Sequence, residues 1–478
     1  MKKIMNYKYL SVIAAILAAP LTSNAESLLE IYQQALQSDP LIHEAEARRL
    51  AAEEATPQAR ALLFPQLQAN AGWSQTDASG NQLITDTVGG ITSAEFEADS
   101  TNKNWDIGLR QTIFRWDQIV GLKQAGKLVA QASADYEAAQ QDLIIRVARR
   151  YFDVLAAEDI LTSIHADRLA IARQLEQAKQ RFEVGLIAIT DVQESQAAYD
   201  QSIADEIGAK RSLATSRELL REITGQYVAT LSAPVEELPL LSPNPAAESS
   251  WIDQALTQNL QLVSSRLGEE VARHEISFRR TGHYPTIDLV AGRSYNESVG
   301  ETQFEASPTV FPADSDRTAD TIALQFNLPI FSGGRTSSRV REAVYLHRAS
   351  MEQLQRVSRE TERATRDAYL GVLSEISRVK ALKQAVASSR TALEATQAGF
   401  DVGTRTIVDV LISQRQLYTA ITNYYRSRYA YIGNVLLLKQ AAGSLQVQDL
   451  EEIDRWLVDR RRPEDVIADE EAAAAGGS

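Results

Sequence analysis

The sequence has no cysteine, which excludes disulfides, thiolate nucleophiles and thiolate-bound zinc. Its five histidines are scattered, and none is spaced like the paired ligands of a zinc enzyme. The nucleophile elbow G-x-S-x-G is also missing. We therefore expect no catalytic residues, no cofactor and no metal site, and the chain is not predicted to be an enzyme.

Basic side chains are comparatively few. The chain has 49 lysines and arginines against 63 aspartates and glutamates, which gives a net charge of −14. Because binding to nucleic acid needs a basic face that pairs with phosphates, this balance argues against nucleic acid as a partner.

Long apolar runs are missing as well. A transmembrane helix needs about 18 or more apolar residues, and the run Leu10–Leu21 has 12. This run follows three lysines and precedes small residues that end at Ala25, the pattern of a secretory signal peptide over 1–25. Its removal would take the net charge from −14 to −17. The mature chain is then exported, and β-strands must make any membrane crossing.

The sequence contains an internal repeat at an offset of 218 residues. Segments 181–205 and 399–423 share nine residues at this offset, among them a phenylalanine, a glycine and an aspartate. Further pairs at the same offset are Tyr151/Tyr369, Leu155/Leu373 and Gly225/Gly443. The period is too long for a solenoid and indicates a duplicated half.

The duplication predicts the organisation of the chain. The signal peptide (1–25) is followed by a first repeat, 26–231, and a second, 250–443, joined by an irregular proline-rich connector, 232–249. Each repeat has a short helical region, a strand pair (64–77 and 104–114; 284–296 and 318–331), a long helix (117–184; 335–402) and a return helix (190–224; 406–441). The C-terminal segment, 444–478, is expected to be disordered at its end and to have Arg460 in a solvated tail.

The four predicted strands alternate between apolar and polar residues. Each is about 10 residues long, enough to cross a bilayer when tilted. A soluble, half-buried hairpin shows the same alternation and remains an alternative for each strand alone. The acidic stretches 77–103 and 296–320, which follow the first strand of each pair, are expected to be solvated loops.

The two long helices are expected to pack as coiled coils. Apolar residues at 3-4 spacing run through the first one, for example Ile144, Val147, Tyr151 and Val154. Sixty-eight residues would make a rod of about 100 Å. Each rod ends at a glycine, 185 or 403, that suits a left-handed C-cap.

Four strands cannot close a membrane barrel, since the smallest bacterial barrels have about 8. An open sheet edge in lipid leaves backbone groups unpaired at a cost of several kcal/mol each. If the strands span the membrane, several chains must therefore share one barrel: two chains would give 8 strands, and three would give 12. Because each strand pair leaves and returns on one side, the helices would then extend from one face of the barrel as a passive conduit.

Several motifs resemble the TolC family of outer-membrane exit ducts. They are RFEVGLIAITDVQ (181–193), VGTRTIVDVL (402–411), LPIFSGG (328–334), ITG (223–225) and the strand starts FPQL and YPTI. The resemblance extends to about residue 455. It implies an α+β membrane protein: a homotrimeric, 12-stranded β-barrel with four strands from each chain, continued by a long α-helical coiled-coil barrel.

The same resemblance implies location and partners. The barrel would lie in outer-membrane lipid, with the helical extension in the periplasm. The helical tips would dock onto a periplasmic adaptor and an inner-membrane efflux pump or ABC transporter. The implied function is the exit duct of tripartite drug efflux, with antibiotic resistance as its consequence, and/or of type I protein secretion.

The resemblance also assigns residues at the tips. Thr190, Asp191 and Arg405 would form the latch that holds the tip closed, together with Phe400, which stands where family members usually carry tyrosine. Phe400 keeps the ring but loses the hydroxyl donor. Asp409 would form a ring of carboxylates at the entrance.

Two further assignments concern the neighbourhood of that ring and the tips. A second aspartate of the family is replaced by Ile412 here, which argues against strong binding of multivalent cations. Gly185, Leu186, Gly403 and Thr404 would contact the adaptor.

Alternatives remain for the site and for the whole chain. The segments that begin at Thr190 and Thr406 both fit a capping box, so Asp191 and Asp409 could merely cap helices. The chain could be a soluble periplasmic coiled-coil adaptor or scaffold, although four strands of lipid-crossing length in two symmetric pairs argue against this. An envelope hydrolase has no supporting motif.

Overall fold

The computed structural model describes residues 25–85, 89–304, 309–460 and 463–476. Apart from Ala25, the predicted signal peptide lies outside the described residues. The chain divides into two units. Unit 1 comprises 25–46, 135–263 and the described residues from 357 onward; unit 2 comprises 47–134 and 264–356.

Most of the chain is helical. The helices are α1 (Leu28–Ser38), α2 (Pro40–Glu53), α3 (Ala55–Ala61), α4 (Trp116–Glu183), α5 (Ile189–Thr224), α6 (Glu248–Gln258), α7 (Leu260–Arg280), α8 (Arg335–Asp401), α9 (Ile407–Ala441), α10 (Val447–Asp454) and α11 (Pro463–Gly476). The strands are β1 (Gln66–Thr85), β2 (Ile91–Phe114), β3 (Ala233–Pro234), β4 (Thr286–Phe304), β5 (Val310–Pro312), β6 (Ser315–Asn327) and β7 (Leu457–Val458). Within the described residues, no helix is both long and apolar enough to cross a membrane.

Unit 2 contains one antiparallel sheet. Strand β1 pairs with β2, β2 with β4, and β4 with both β5 and β6. Trp105 of β2 lies opposite Tyr295 of β4, and their rings stack with centroids 6.1 Å apart. Apolar side chains on the strands are exposed in the single chain; Leu67, Trp73, Ile322 and Leu324 each have more than 60% of their surface accessible.

The prediction of loops at 77–103 and 296–320 is wrong, because strands occupy most of both stretches. Strands β1 and β2 keep one register from the pair Gln66–Arg110 to the pair Thr85–Ile91. The ladder of backbone hydrogen bonds continues where apolar alternation has stopped, because backbone pairing does not need apolar side chains. Residues 86–88 and 305–308 within these stretches lie outside the described residues.

The second predicted strand pair also has different ends. Strand β4 extends to Phe304, and β6 runs over Ser315–Asn327 rather than to residue 331. Pro329 lies two residues after the end of β6, and proline has no N–H to donate to a ladder.

The core of unit 1 forms around the middle of α4. Ile144, Val147, Tyr151 and Val154 are buried there, as their spacing predicted. Helices α1, α5, α9 and α10 contribute further apolar side chains to the same cluster. The spacing places these side chains on one stripe of the helix, so the stripe packs inward.

Three segments that are far apart in the sequence meet in unit 1. Strand β3 in the proline-rich connector pairs with β7 near the C-terminus, and Glu26 forms a bridge with Leu231. The repeat-related tyrosines fix this connector: the Tyr151 hydroxyl donates to the Ser232 carbonyl at 2.6 Å, and the Tyr369 hydroxyl donates to the Ala246 carbonyl. The connector was predicted to be irregular, and these long-range bonds give it fixed positions.

The C-terminal end differs from the prediction. We expected the end, 464–478, to be disordered, but α11 covers Pro463–Gly476, and residues 477–478 lie outside the described residues. Proline suits the first helical position, acidic residues in the first turn complement the helix dipole, and alanine has the highest helix propensity. Arg460, placed by prediction in a solvated tail, is ion-paired with the buried carboxylate of Asp159.

Candidate functional site at the helical tips

Two short turns connect the long helices to their return helices in unit 1. We call residues 184–188 the first tip turn and residues 402–406 the second tip turn. Gly185 and Gly403 have φ angles of 77° and 78°, which confirms the left-handed C-caps. Leu186 N–H donates to the Arg181 carbonyl at 2.8 Å, and Thr404 N–H donates to the Gly399 carbonyl at 2.8 Å. These bonds satisfy carbonyls at the ends of α4 and α8.

The second tip turn contains the predicted capping box. The Thr406 hydroxyl oxygen accepts from the Asp409 N–H at 3.3 Å, and the Asp409 carboxylate accepts from the Thr406 N–H at 2.9 Å. The backbone hydrogen bond from Thr406, then its hydroxyl, and then the nearby Arg405 charge hold the pKa of Asp409 below its ordinary value. This carboxylate is therefore ionised at neutral pH.

The first tip turn has no such box, so the capping-box alternative for Thr190 is wrong, whereas its assignment to the latch stays a prediction. Helix α5 begins at Ile189 after Ala188, whose side chain cannot cap. Thr190 and Asp191 therefore lie inside the first helical turn. Asp191 still complements the positive end of α5. Its carboxylate does not cap the helix, and the residue is half-buried at the start of α5.

Phe400 is buried, and a residue that sequence reasoning missed covers it. Its side chain is 7% exposed and packs with Ile407 and Val410. The guanidinium carbon of Arg181 lies 4.6 Å from the centroid of the Phe400 ring. The same guanidinium is ion-paired with Asp401 at 2.9 Å. The repeat gave no signal for this contact, because the position that corresponds to Arg181 in the second repeat is Gly399.

Arg405 is exposed, and its backbone is fixed by the turn. Its N–H donates to the Gly399 carbonyl at 3.2 Å. A Cβ at Gly399 would lie 2.8 Å from Arg405 Cγ, so a glycine is needed for the arginine side chain to pass. Within the described part of this single chain, no hydrogen bond or ion pair joins Arg405 to Thr190 or Asp191. The structure thus brings Arg405 next to Asp409 and does not bring the proposed latch residues together.

The residues predicted to contact an adaptor lie at the surface. Leu186 is 73% exposed, and its neighbours Val184 and Val402 are similarly exposed. Gly185, Gly403 and Thr404 are also exposed. The two tip turns therefore present apolar and glycine surface to the outside of the chain.

A polar contact between α4 and α9 was also missed by sequence reasoning. Gln414 of α9 is 2% exposed and donates to the Asp167 carboxylate of α4 at 2.6 Å. Its amide oxygen accepts from the Gln174 side chain at 2.7 Å. Gln196, its partner in the repeat, bonds only to Asp200 on its own helix among the bonds of the described residues. The repeat therefore conserved the residue type but not its contact.

Comparison with known sequences finds a family model and relatives that match most of the chain. A family model described as outer membrane efflux protein matches residues 31–226 and 251–444, which correspond closely to the two predicted repeats. The outer membrane protein TolC of Vibrio cholerae is 38% identical over 433 residues, covering 91% of this chain and 94% of the relative. The alkaline protease secretion protein AprF of Pseudomonas aeruginosa is 28% identical, covering 89% of this chain and 86% of the relative.

Comparison with solved structures gives the same fold. The outer membrane protein VceC of Vibrio cholerae superimposes with a TM-score of 0.66 at 20% sequence identity. The match covers 87% of this chain and 96% of that structure. At this identity the likeness supports the arrangement of helices and strands alone.

Proposed function

The chain belongs to the outer membrane efflux protein family, and we propose that three copies of it assemble into one exit duct. As a member of this family, it is an outer-membrane transport protein with a helical extension in the periplasm. It acts as the exit duct of efflux and type I secretion systems. The alternative of a soluble periplasmic adaptor is not favoured, since the family match covers both repeats.

The observation that carries the assembly is the sheet of unit 2. Its outer strands, β1 and β6, each have an edge that no other strand of the chain pairs, within the described residues. Apolar side chains such as Trp73, Ile322 and Phe326 are exposed on the same sheet. Open edges are costly in lipid, and pairing β1 of one copy with β6 of the next removes them. Strands β5 and β6 pair with β4 in one continuous register and count as one interrupted strand, so each copy contributes four strands. Three copies then close a 12-stranded barrel.

The partners follow from the relatives. AprF is named as a protein for the secretion of an alkaline protease, and TolC as an outer-membrane protein. We assign to this chain a periplasmic adaptor and an inner-membrane pump or ABC transporter. The adaptor contact is assigned to Gly185, Leu186, Gly403 and Thr404, because these exposed tip residues are the ends of the two helical hairpins.

The tips carry the gate of the proposed duct. Arg405 has an exposed guanidinium, and Asp191 has a carboxylate that no cap occupies. In a trimer the tips of neighbouring chains meet, so Arg405 of one chain can pair with Thr190 and Asp191 of the next. Phe400 supplies the apolar seat of the second tip turn, and three copies of Asp409 form a carboxylate ring at the entrance. The bonds of Arg405 to Thr190 and Asp191 are directional enough to hold neighbouring helices together, and a docking partner can replace them with bonds of its own.

Replacement of Arg405 by alanine tests the gate. We expect the purified trimer to show a higher single-channel conductance in planar bilayers, because the charge that joins neighbouring tips is lost. Asp191→Ala should act in the same direction. One control is trimer migration on gels without heating. The other is the conductance of Arg173→Gln, a charge change at an exposed residue of α4 outside the proposed latch. An unchanged conductance of both tip variants would remove the latch from the proposed function.

A deletion strain tests the duct itself. Loss of the gene should sensitise cells to drugs and abolish secretion by any type I system that uses the duct. Complementation by the full chain should restore both. A strain that keeps wild-type drug resistance and secretion would argue against the exit-duct function regardless of the gate.

A further inference from the structure

Arg181 connects the ends of two long helices. It lies in the last turn of α4, while both of its partners lie at the end of α8. Its guanidinium covers the ring of Phe400 at 4.6 Å and pairs with the Asp401 carboxylate at 2.9 Å. All three residues lie in unit 1. One side chain of the first repeat therefore holds two successive residues of the second.

We propose that Arg181 is a positioning residue of the gate, which fixes the second tip turn in the place where Arg405 can close the tip. The inference rests on the proposed function, since it needs a gate at the tips. It adds a contact made within each chain to a latch made between chains. It also names a residue that the repeat and the tip motifs do not assign.

Backbone hydrogen bonds within the second tip turn link the position of Phe400 to the position of Arg405. The Gly399 carbonyl accepts from the N–H groups of Thr404 and Arg405, at 2.8 and 3.2 Å. The Phe400 carbonyl accepts from the Gly403 N–H at 3.0 Å. These bonds close residues 399–405 into one compact loop. Whatever fixes its first residues therefore fixes the arginine at its end.

The side of Phe400 that faces Arg181 can interact only through its ring. Phenylalanine has no hydroxyl, so the face of the ring and its quadrupole are what it offers to a cation. The rest of the side chain is buried against Ile407 and Val410. Arginine suits this position better than lysine, because a planar guanidinium stacks on a ring while its N–H groups still reach a carboxylate. Asp401 supplies that carboxylate.

The competing explanation is that Arg181 only stabilises helix packing. The groove around it makes that explanation reasonable, since Arg173, Gln177 and Gln397 line the same polar cleft. A packing role predicts a less stable trimer with an unchanged gate. A positioning role predicts a leaking gate in a trimer of normal stability. It also predicts that the closed-state conductance depends on the positive charge at position 181.

The test is a double-mutant cycle with a charge rescue. Arg181→Gln, Phe400→Leu and their combination are made in the full chain, purified as trimers and recorded in planar bilayers. Leucine keeps the apolar contacts of residue 400 with Ile407 and Val410 and removes the aromatic face that Arg181 contacts. Each single variant should raise the closed-state conductance about two- to five-fold, the range that corresponds to an exposed cation–π contact. The double variant should be no leakier than the larger single effect, since both remove the same contact.

Three further variants make the outcome decisive. Arg181→Lys should leak less than Arg181→Gln, because a cation remains beside the ring and Asp401 although the stacked planar group is lost. Arg173→Gln, from the same groove, should have no effect. Arg405→Ala reports separately on the proposed latch.

Three results would overturn the inference. If Arg405→Ala leaks while Arg181→Gln does not, the gate stands and Arg181 has no part in it. If Arg181→Lys leaks as much as Arg181→Gln, the positive charge is not what positions the turn. If neither arginine variant changes conductance, the latch of the proposed function fails, and the inference fails with it.

Discussion

Asp409 combines a local and an assembled role in one carboxylate. Locally it caps α9 through the Thr406 N–H, which is the reason its pKa lies below the ordinary value. In the proposed trimer, three such carboxylates surround the axis and raise the local concentration of cations. The two roles are compatible, because the cap keeps the group ionised and one carboxylate oxygen is enough to accept from the backbone.

Asp409→Asn should therefore reduce cation selectivity without unfolding the tip. The asparagine oxygen can still accept from the Thr406 N–H, so the cap survives while the charge is lost. We expect the cation-to-anion permeability ratio to fall by about two-fold or more, measured as the reversal potential in a salt gradient. Glu394→Gln, an exposed carboxylate on α8, is the matched control and should change the ratio less.

The pH dependence of the same selectivity has a definite sign. The ordinary pKa of an aspartate is near 4. A carboxylate whose pKa is lowered in the folded protein is charged at every pH above that value, and it loses its charge only as the pH falls through the lowered pKa. Selectivity of the unmodified channel should thus be constant from neutral pH to about pH 5. A loss of selectivity at pH 6 in the unmodified channel, absent in Asp409→Asn, would contradict the capped state of this group.

Residue patterns near the tips were predicted with mixed success, for a physical reason. The box at Thr406 formed because α9 begins immediately after it. The similar pattern at Thr190 failed because α5 begins one residue before that threonine. A sequence motif fixes which bonds are available, whereas the helix start decides which of them can form. Arg181 could not be found at all, because its partners are about 220 positions away in the chain.

At the scale of elements, the long helices were the easiest to predict. Prolines are absent from α4 and α8, apolar side chains follow the 3.6-residue period, and a glycine ends each helix. The first three strands were predicted too short, because only part of each ladder carries the apolar alternation, whereas β6 ends four residues before its predicted end. The outer part pairs through the backbone, which leaves no trace in the side-chain pattern.

The contact between α4 and α9 gives a prediction at this scale. Gln414→Leu should weaken the contact by about 1–3 kcal/mol, because the Asp167 carboxylate loses its 2.6 Å donor in a partly buried place. Burial already raises the pKa of Asp167, and the Gln414 bond opposes that effect. The weakening should therefore shrink at acidic pH, where a protonated Asp167 needs no donor. Hydrogen exchange of the α9 amides around residue 414 measures the weakening of the contact.

The repeat supplies a matched control for this variant. Gln196→Leu changes the same residue type at the corresponding position of α5, where the side chain bonds to Asp200 on its own helix. An exposed pair of this kind contributes a few tenths of a kcal/mol. Equal exchange effects in both variants would show that the buried contact to α4 is not what matters.

At the scale of the whole molecule, the two chain ends and the connector depend on one another. Glu26 bridges to Leu231 and β3 pairs with β7, so three distant segments share one small region of unit 1. Neither the connector nor the two-residue strand β7 has a strong local pattern. Their order comes from contacts that only the complete fold provides, and for this reason the sequence could not predict it.

Charged groups of α4 hold the C-terminal segment. The Asp159 carboxylate is 2% exposed and accepts from the Tyr429 hydroxyl and from Arg460. Its neighbour Glu158 accepts from Arg217 at 3.0 Å, and the same guanidinium reaches Glu464 at 2.6 Å. Burial raises the pKa of Glu158, and the Arg217 contact counteracts this. Without the C-terminal segment, Asp159 would be a buried carboxylate that has lost its cation.

A chain that ends at Asp459 should therefore be markedly less stable than one that ends at Asp469. The shorter chain lacks Arg460 and Glu464, and removal of one partner from a buried ion pair costs about 3–5 kcal/mol. The longer chain keeps both and loses only the end of α11, so it serves as the control. Thermal dissociation of the purified trimer and proteolysis of unit 1 measure the difference. Arg460→Met in the full chain should reproduce most of the loss, because it removes the charge and keeps the segment. Equal stability of the two truncated chains would mean that Asp159 is satisfied by Tyr429 alone, and that the C-terminal segment lies on the fold without supporting it.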